Sequence, residues 1–227
     1  MILMQCERDP RIQILGSLCL RDILCGMKRF VTADPHFLHK LVSELRGFDT
    51  PQAHDAHYIE VFNSHVGPDD QTWFLGDITL KPLEHAAHLI QALNGRKHLV
   101  LGNHDYAHPM SKRHSTKHFR QAVDLFDTVY QTGMWKGMEV PVLMSHFPYQ
   151  GDHSREDRFN VWRMPDRGAF LLHGHTHHTE KVEEPNSMHV GWDAWERPVS
   201  EAEVASYVSA WVKKNRIKPE PKRKRQR

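Results

Sequence analysis

Five times along this chain a short apolar run ends in a cluster of aspartate, histidine or asparagine. Residues 28–33 lead into Ala33-Asp34-Pro35-His36, and residues 71–75 into Leu75-Gly76-Asp77. Residues 98–101 lead into Gly102-Asn103-His104-Asp105, residues 138–145 into Ser145-His146-Phe147-Pro148, and residues 169–172 into His173-Gly174-His175-Thr176-His177. Each run has the length and composition of a strand. In α/β sheets, ligands bind in the crevice beyond the carboxyl ends of the strands. Five such ends carrying the same kind of polar side chain therefore predict one shared site.

Helical segments alternate with these runs. Thr50 and Pro51 read as the N-cap and first residue of a helix reaching about Val66. Pro82 opens another, with Leu83, Ala86, Ala87, Ile90 and Leu93 on one face, stopped by Asn94-Gly95. Residues 128–132 and 188–191 read as further strands. Ser200 and Glu203 form a capping-box pair for a last helix to about Asn215, whose apolar face is Val204, Ala205, Val208, Trp211 and Val212. The alternation predicts an α/β fold.

At 227 residues, the chain is long enough for one domain with a substantial core. The expected organisation is an extension over residues 1–26, a compact domain over 27–217 and a basic, disordered tail over 218–227. The formal charge of +2 is too small to demand a polyanionic partner. The tail reads as a solvated segment in preference to a nucleic-acid contact. Cys6, Cys19 and Cys25 are odd in number and confined to the extension, which argues against a disulfide framework and for a reducing, cytoplasmic setting. The apolar stretch over 12–25 is too short, and is interrupted by Arg21 and Asp22, so no membrane span is expected.

The 19 histidines are the unusual feature of the composition. Most read as surface or helix residues, but those in the five motifs have the spacing of metal ligands. Asp34/His36 and His175/His177 are pairs separated by one residue, which point the same way in an extended segment. Gly76, Gly102 and Gly174 allow a sharp turn off a strand and a close backbone approach. Nitrogen and oxygen donors without sulfur suit Mn²⁺, Fe, Zn²⁺, Ni²⁺ or Mg²⁺.

The ordered series D-x-H, G-D, G-N-H-D, H and G-H-x-H resembles the signature of the calcineurin-like metallophosphoesterase superfamily over roughly residues 27–195. That resemblance implies a four-layer α-β-β-α sandwich of two mixed sheets flanked by helices, with the site at one sheet edge. It implies Asp34, His36 and His177 on one divalent metal, Asn103, His146 and His175 on a second, and Asp77 bridging the two. His104 would face the substrate phosphate and either stabilise charge or protonate the leaving oxygen, while the two ions acidify a shared water. The protein-phosphatase branch carries an aspartate three residues beyond its G-D motif to support that histidine; Leu80 stands here, which weakens the acid role.

Gly76-Asp77-Ile78-Thr79-Leu80 and Asp105 also depart from the protein serine/threonine phosphatase pattern. The chain looks more like the small prokaryotic and phage phosphodiesterases, whose substrates include 2′,3′- and 3′,5′-cyclic nucleotides. A small phosphodiester or cyclic nucleotide is therefore the expected substrate. Nucleic acid is possible as a substrate but is not required, which keeps a metal-dependent nuclease as the alternative, followed by a catalytically dead binding module. His39, His153, His173 and His178 read as surface or supporting residues, and Asp193 as a packing residue. Arg155, Arg158 and Arg163 lie in a connection long enough to form a lid. Trp135, Trp162, Trp192 and Trp195 read as packing residues.

Overall fold

The computed structural model describes residues 26–152, 154, 156–181 and 185–217. Most of the expected extension and the whole basic tail lie outside the described residues, as do His153 and Arg155.

Among the described residues, nine strands form two mixed sheets. The first runs β4(Thr128–Tyr130), β3(Arg96–Val100), β2(Gln71–Phe74), β1(Arg29–Thr32) and β9(Val199–Ser200). Its strands are parallel except β9, which runs antiparallel to β1. The second sheet runs β5(Thr132–Trp135), β6(Val142–Ser145), β7(Phe170–His173) and β8(Ser187–His189), with only β5 antiparallel to its neighbour. The helices are α1(Lys40–Leu45), α2(Pro51–His65), α3(Leu83–Ala92), α4(Thr116–Leu125), α5(Trp192–Trp195) and α6(Glu201–Asn215). The expected α/β sandwich is the observed architecture.

Side-chain alternation along the central strands explains the layering. Phe30, Phe74 and Leu99 point into a core shared with Tyr58 and Phe62 of α2, Leu83, Ala86 and Ile90 of α3, and Ala122 of α4. Their neighbours Val31, Leu75 and Val100 point the other way, into a core with Val142, Met144, Phe170, Leu172 and Met188 of the second sheet. The apolar residues of both faces crowd toward the carboxyl ends of these strands, beside the motifs, whereas Arg29, Gln71 and Arg96 open them at the less buried end. Val204, Val208 and Val212 of α6 close the second core.

Local signals work as read. The Thr50 hydroxyl accepts from Ala53 N at 3.1 Å, with Pro51 in the first turn of α2. In α6, Ser200 Oγ accepts from Glu203 N at 3.3 Å and the Glu203 carboxylate accepts from Ser200 N at 3.0 Å, a complete capping box. The segment expected as one strand over 128–132 is instead divided at Gln131 between the two sheets. No helix among the described residues is long and apolar enough to cross a membrane.

Candidate metal centre

β1, β2 and β3 of the first sheet and β6 and β7 of the second all end at one crevice. β1 is followed by Asp34 and His36, β2 by Asp77, and β3 by Asn103 and His104; β6 is followed by His146, and β7 by His175 and His177. Backbone hydrogen bonds lock these loops together. Asp34 N donates to Gly76 O and His36 N to Asp77 O, both at 3.1 Å, while Gly174 N donates to His146 O at 3.0 Å.

The acceptor atoms converge. Asp34, His36 and His177 have ligand atoms within 4.8 Å of one another, and so do Asp34, Asp77 and His146. His36 Nε2 faces His177 Nε2 at 3.1 Å, a pair that one proton or one cation can satisfy. His146 Nε2 lies 2.9 Å from Asn103 Oδ1, 3.2 Å from His175 Nδ1 and 3.4 Å from Asp77 Oδ2. A carbonyl can only accept, so the proton of His146 sits on Nδ1, which donates to Leu75 O at 2.7 Å. Its Nε2 therefore faces a carbonyl oxygen, a ring nitrogen and a carboxylate oxygen at once. Asp34 Oδ2 accepts from His175 N at 3.0 Å, but its fully buried Oδ1 has no hydrogen-bond partner among the described residues. Clustered acceptors and an orphaned carboxylate oxygen fit a divalent cation, the species that would satisfy them all.

Asp77 holds the middle. Its Oδ1 accepts from His104 N at 2.8 Å, and its Oδ2 lies 3.9 Å from His36 Nε2, 3.9 Å from His104 Nε2 and 3.4 Å from His146 Nε2. Burial works against its charge, but His146, His104 and His36 outweigh it and hold the carboxyl well below the usual range. Asp34 goes the other way, with burial raising it to about 6. Burial pushes the His36 ring well below the usual imidazole value, against the pull of the Asp77 charge.

The backbone at these positions is not the extended segment that the one-residue spacing suggested. Asp34, His36, Asp77, His175 and His177 all have φ between 49° and 72°. Nine non-glycine residues among those described lie in this region, and five are candidate ligands. Such conformations cost about 1–3 kcal/mol each and cluster where function over-determines them. The paired side chains converge through turned backbone, not through strand alternation. Gly76 has φ +89° and packs so tightly on the next loop that a Cβ would meet Gly102 Cα at 2.6 Å. A side chain on Gly102 would meet Asp77 N at 2.6 Å.

Three further residues support the centre, none of them an expected ligand. Asp105 accepts from Gly102 N (2.7 Å), Ile78 N (3.0 Å) and Asp77 N (3.1 Å), tying the second and third motifs together. Its burial, with Asp77 nearby, raises it to about 7. Asp193, expected to be a packing residue, instead has Oδ2 2.8 Å from His177 Nδ1. Arg46 holds both Asp193 oxygens at 2.9 and 2.8 Å, and donates to Asp34 O at 2.9 Å and Pro35 O at 3.3 Å. Arg46 and His177 outweigh burial to keep Asp193 well below the usual carboxylate range. In return, the Asp193 hydrogen bond and the Asp34 charge raise His177 against its burial.

The centre opens on a cleft of about 970 Å³ lined by His36, His104 and His177. The His104 side chain is 40% exposed there, whereas those of Asp34, Asp77 and His146 are buried. Leu41, Val42, Leu45 and Phe48 form an apolar flank, and His39 and His178 also line the cleft. His39 caps α1 through Nδ1, which accepts from Val42 N at 3.2 Å. His173 is buried, lowered to about 4, and its Nδ1 donates to Gly174 O, as a core residue does. Arg158 and Arg163 are engaged away from the cleft, Arg158 with Asp152 and Arg163 with Asp157. Trp135, Trp192 and Trp195 are buried as expected, and Trp162 is only partly covered.

No known family model matches the chain. It is similar to a solved protein of unknown function from Aquifex aeolicus, with a TM-score of 0.59 and 21% identity, covering 79% of this chain and 98% of that one; the likeness is one of fold. It is 39% identical to the Gene 66 protein of Mycobacterium phage L5 over 194 residues, covering 78% of this chain and 92% of the relative. The Gene 66 protein of Mycobacterium phage D29 is also 39% identical, over 189 residues, with 78% and 94% covered. By that identity over most of both lengths, the chain belongs to the family of the mycobacteriophage Gene 66 proteins.

Proposed function

We propose that the protein is a divalent-metal-dependent phosphodiesterase acting on small or cyclic nucleotide diesters. The observation that carries this reading is the meeting of acceptor side chains from five strand ends on turned backbone, with Asp34 Oδ1 left without a donor. Asp34, His36 and His177 would hold one cation, Asn103, His146 and His175 another, and Asp77 would lie between them. Bound dications, Mn²⁺ foremost, would supply an acidified water and a counter-charge for phosphoryl oxygens.

The chain's own residues supply the rest. Asn103 contributes a neutral oxygen, which limits the negative charge facing an anionic substrate. His104 stands in the cleft with its backbone N anchored on Asp77 and its ring 3.9 Å from the same carboxylate. It would meet the substrate phosphate and steady charge on the leaving oxygen. Leu41, Val42, Leu45 and Phe48 would cover an apolar or planar part of the ester, such as a nucleobase.

Hydrolysis of 2′,3′-cyclic, 3′,5′-cyclic and linear diesters and of monoesters, each with Mn²⁺, Zn²⁺, Ni²⁺, Fe²⁺ and Mg²⁺, tests the reading. Cyclic or short diesters are expected to turn over fastest. Turnover confined to monoesters contradicts a phosphodiesterase, and turnover confined to DNA or RNA strands makes it a nuclease.

A further inference from the structure

Asp152 belongs to none of the five motifs, yet its carboxylate is fully buried against the centre. Its Oδ1 lies 3.4 Å from His175 Nε2. Arg158 grips the same carboxylate from behind, with Nε 3.1 Å from Oδ2 and Nη2 3.0 Å from Oδ1. The other ring nitrogen of His175, Nδ1, faces inward to His146 Nε2 at 3.2 Å. His177 is arranged the same way with the nitrogens exchanged: Nδ1 meets the Arg46-bound Asp193 at 2.8 Å and Nε2 faces His36.

A carboxylate accepts and cannot donate, so Asp193, hydrogen-bonded to His177 Nδ1, draws the ring proton to its own side and leaves Nε2 as a lone pair. Asp152, in ion-pair contact with His175 Nε2 at 3.4 Å without hydrogen-bond geometry, biases that ring in the same direction through its charge. Resting on the metal-centre reading above, we propose that Asp152, held by Arg158, is a positioning residue that sets the tautomer and aim of His175. It thereby governs cation affinity at the Asn103/His146/His175 position alone, and that position is the weaker of the two. Asp193 lies on α5 and its arginine is 8% exposed, whereas Asp152 lies in the connection between β6 and β7 and Arg158 is 40% exposed. The longer contact, on the less anchored segment, restrains its histidine less.

Calorimetric Mn²⁺ titration of the metal-stripped full-length protein tests this, together with the melting temperature in chelator. Wild type is expected to bind in a tight and a weaker step. Asp152→Ala is expected to weaken the second step roughly 10- to 100-fold, the usual range for removing the residue behind a ligand histidine. The first step stays at its wild-type value, and the melting temperature in chelator falls by no more than roughly 2–4 °C, the loss of the Asp152–Arg158 pair. Asp152→Asn, whose amide oxygen still accepts from Nε2–H, recovers part of the loss and serves in its place if the alanine variant does not fold. Asp193→Ala is expected to weaken the first step instead. Unchanged binding in both Asp152 variants, or equal loss at both steps, overturns the inference while leaving the metal centre standing. A wild-type protein that binds no divalent cation overturns both.

Discussion

The two histidines of the G-H-x-H motif are oriented by the same device built on different supports. His177 is backed by Asp193 on α5, which is seated by the Trp192 N to Ala33 O hydrogen bond and by Trp192 stacking on Tyr58 at 3.8 Å. Its arginine, Arg46, also reaches the carbonyls of Asp34 and Pro35, so ligand, support and loop form one buried unit. His175 is backed by Asp152 in a connection whose arginine is 40% exposed. Side chains of the same kind are therefore fixed by packing on one side of the centre and by a loop on the other. The side fixed by packing is also the side over which the cleft opens, since Arg46, His177 and Asp193 line it.

Asp77 stands between the two sides, so its removal should erase the contrast. Asp77→Ala is expected to abolish both cation-binding steps and lower diester turnover about a thousandfold, from several kcal/mol of lost charge stabilisation. Residual turnover above a tenth of wild type would mean that each side works alone. The arginines give the next largest effect. Arg46→Ala breaks a buried pair and should cost about 3 kcal/mol, lowering the melting temperature by roughly 6–12 °C in calorimetry. Arg158→Ala removes a 40% exposed arginine from the buried Asp152 carboxylate and is expected to cost less, about 1 kcal/mol and roughly 2–4 °C. Equal shifts for the two arginines would remove the basis of the comparison.

Smaller changes sharpen it. Asp193→Asn keeps an acceptor for His177 but loses the charge, and is expected to weaken the tight Mn²⁺ step about tenfold in titration. Leu45→Ser trims the apolar flank of the cleft and should raise KM for nucleotide diesters about fivefold, the loss of about 1 kcal/mol of apolar contact. Its kcat should not move, because the leucine is not among the converging acceptors.

The fold class was legible because successive residues of the central strands feed the two cores alternately, so each short strand carries apolar side chains up to its motif. The motifs were legible because each lies within a few residues of a strand end. α4 escaped, although Ser115 caps it and Phe119, Ala122 and Leu125 have helical spacing. β5 and β9 are too short to show any period. The supports of the centre were illegible for a different reason. Arg46 meets Asp193 across 147 residues of chain, so no local pattern marks that pair, and Asp105, although it closes the third motif, shows its role only through the three amides it accepts from. The left-handed backbone at Asp34, His36, Asp77, His175 and His177 is likewise a product of the crossing loops.

The central claim is that the converging side chains form one two-cation hydrolytic centre. Stepwise addition of Mn²⁺ to metal-stripped protein, with bound metal counted and bis-p-nitrophenyl phosphate hydrolysis followed in the same samples, tests it most directly. The account predicts two bound equivalents per chain, with hydrolysis rising as the second equivalent binds. Protein carrying two equivalents without hydrolysis, or hydrolysis unaffected by metal removal, would contradict it.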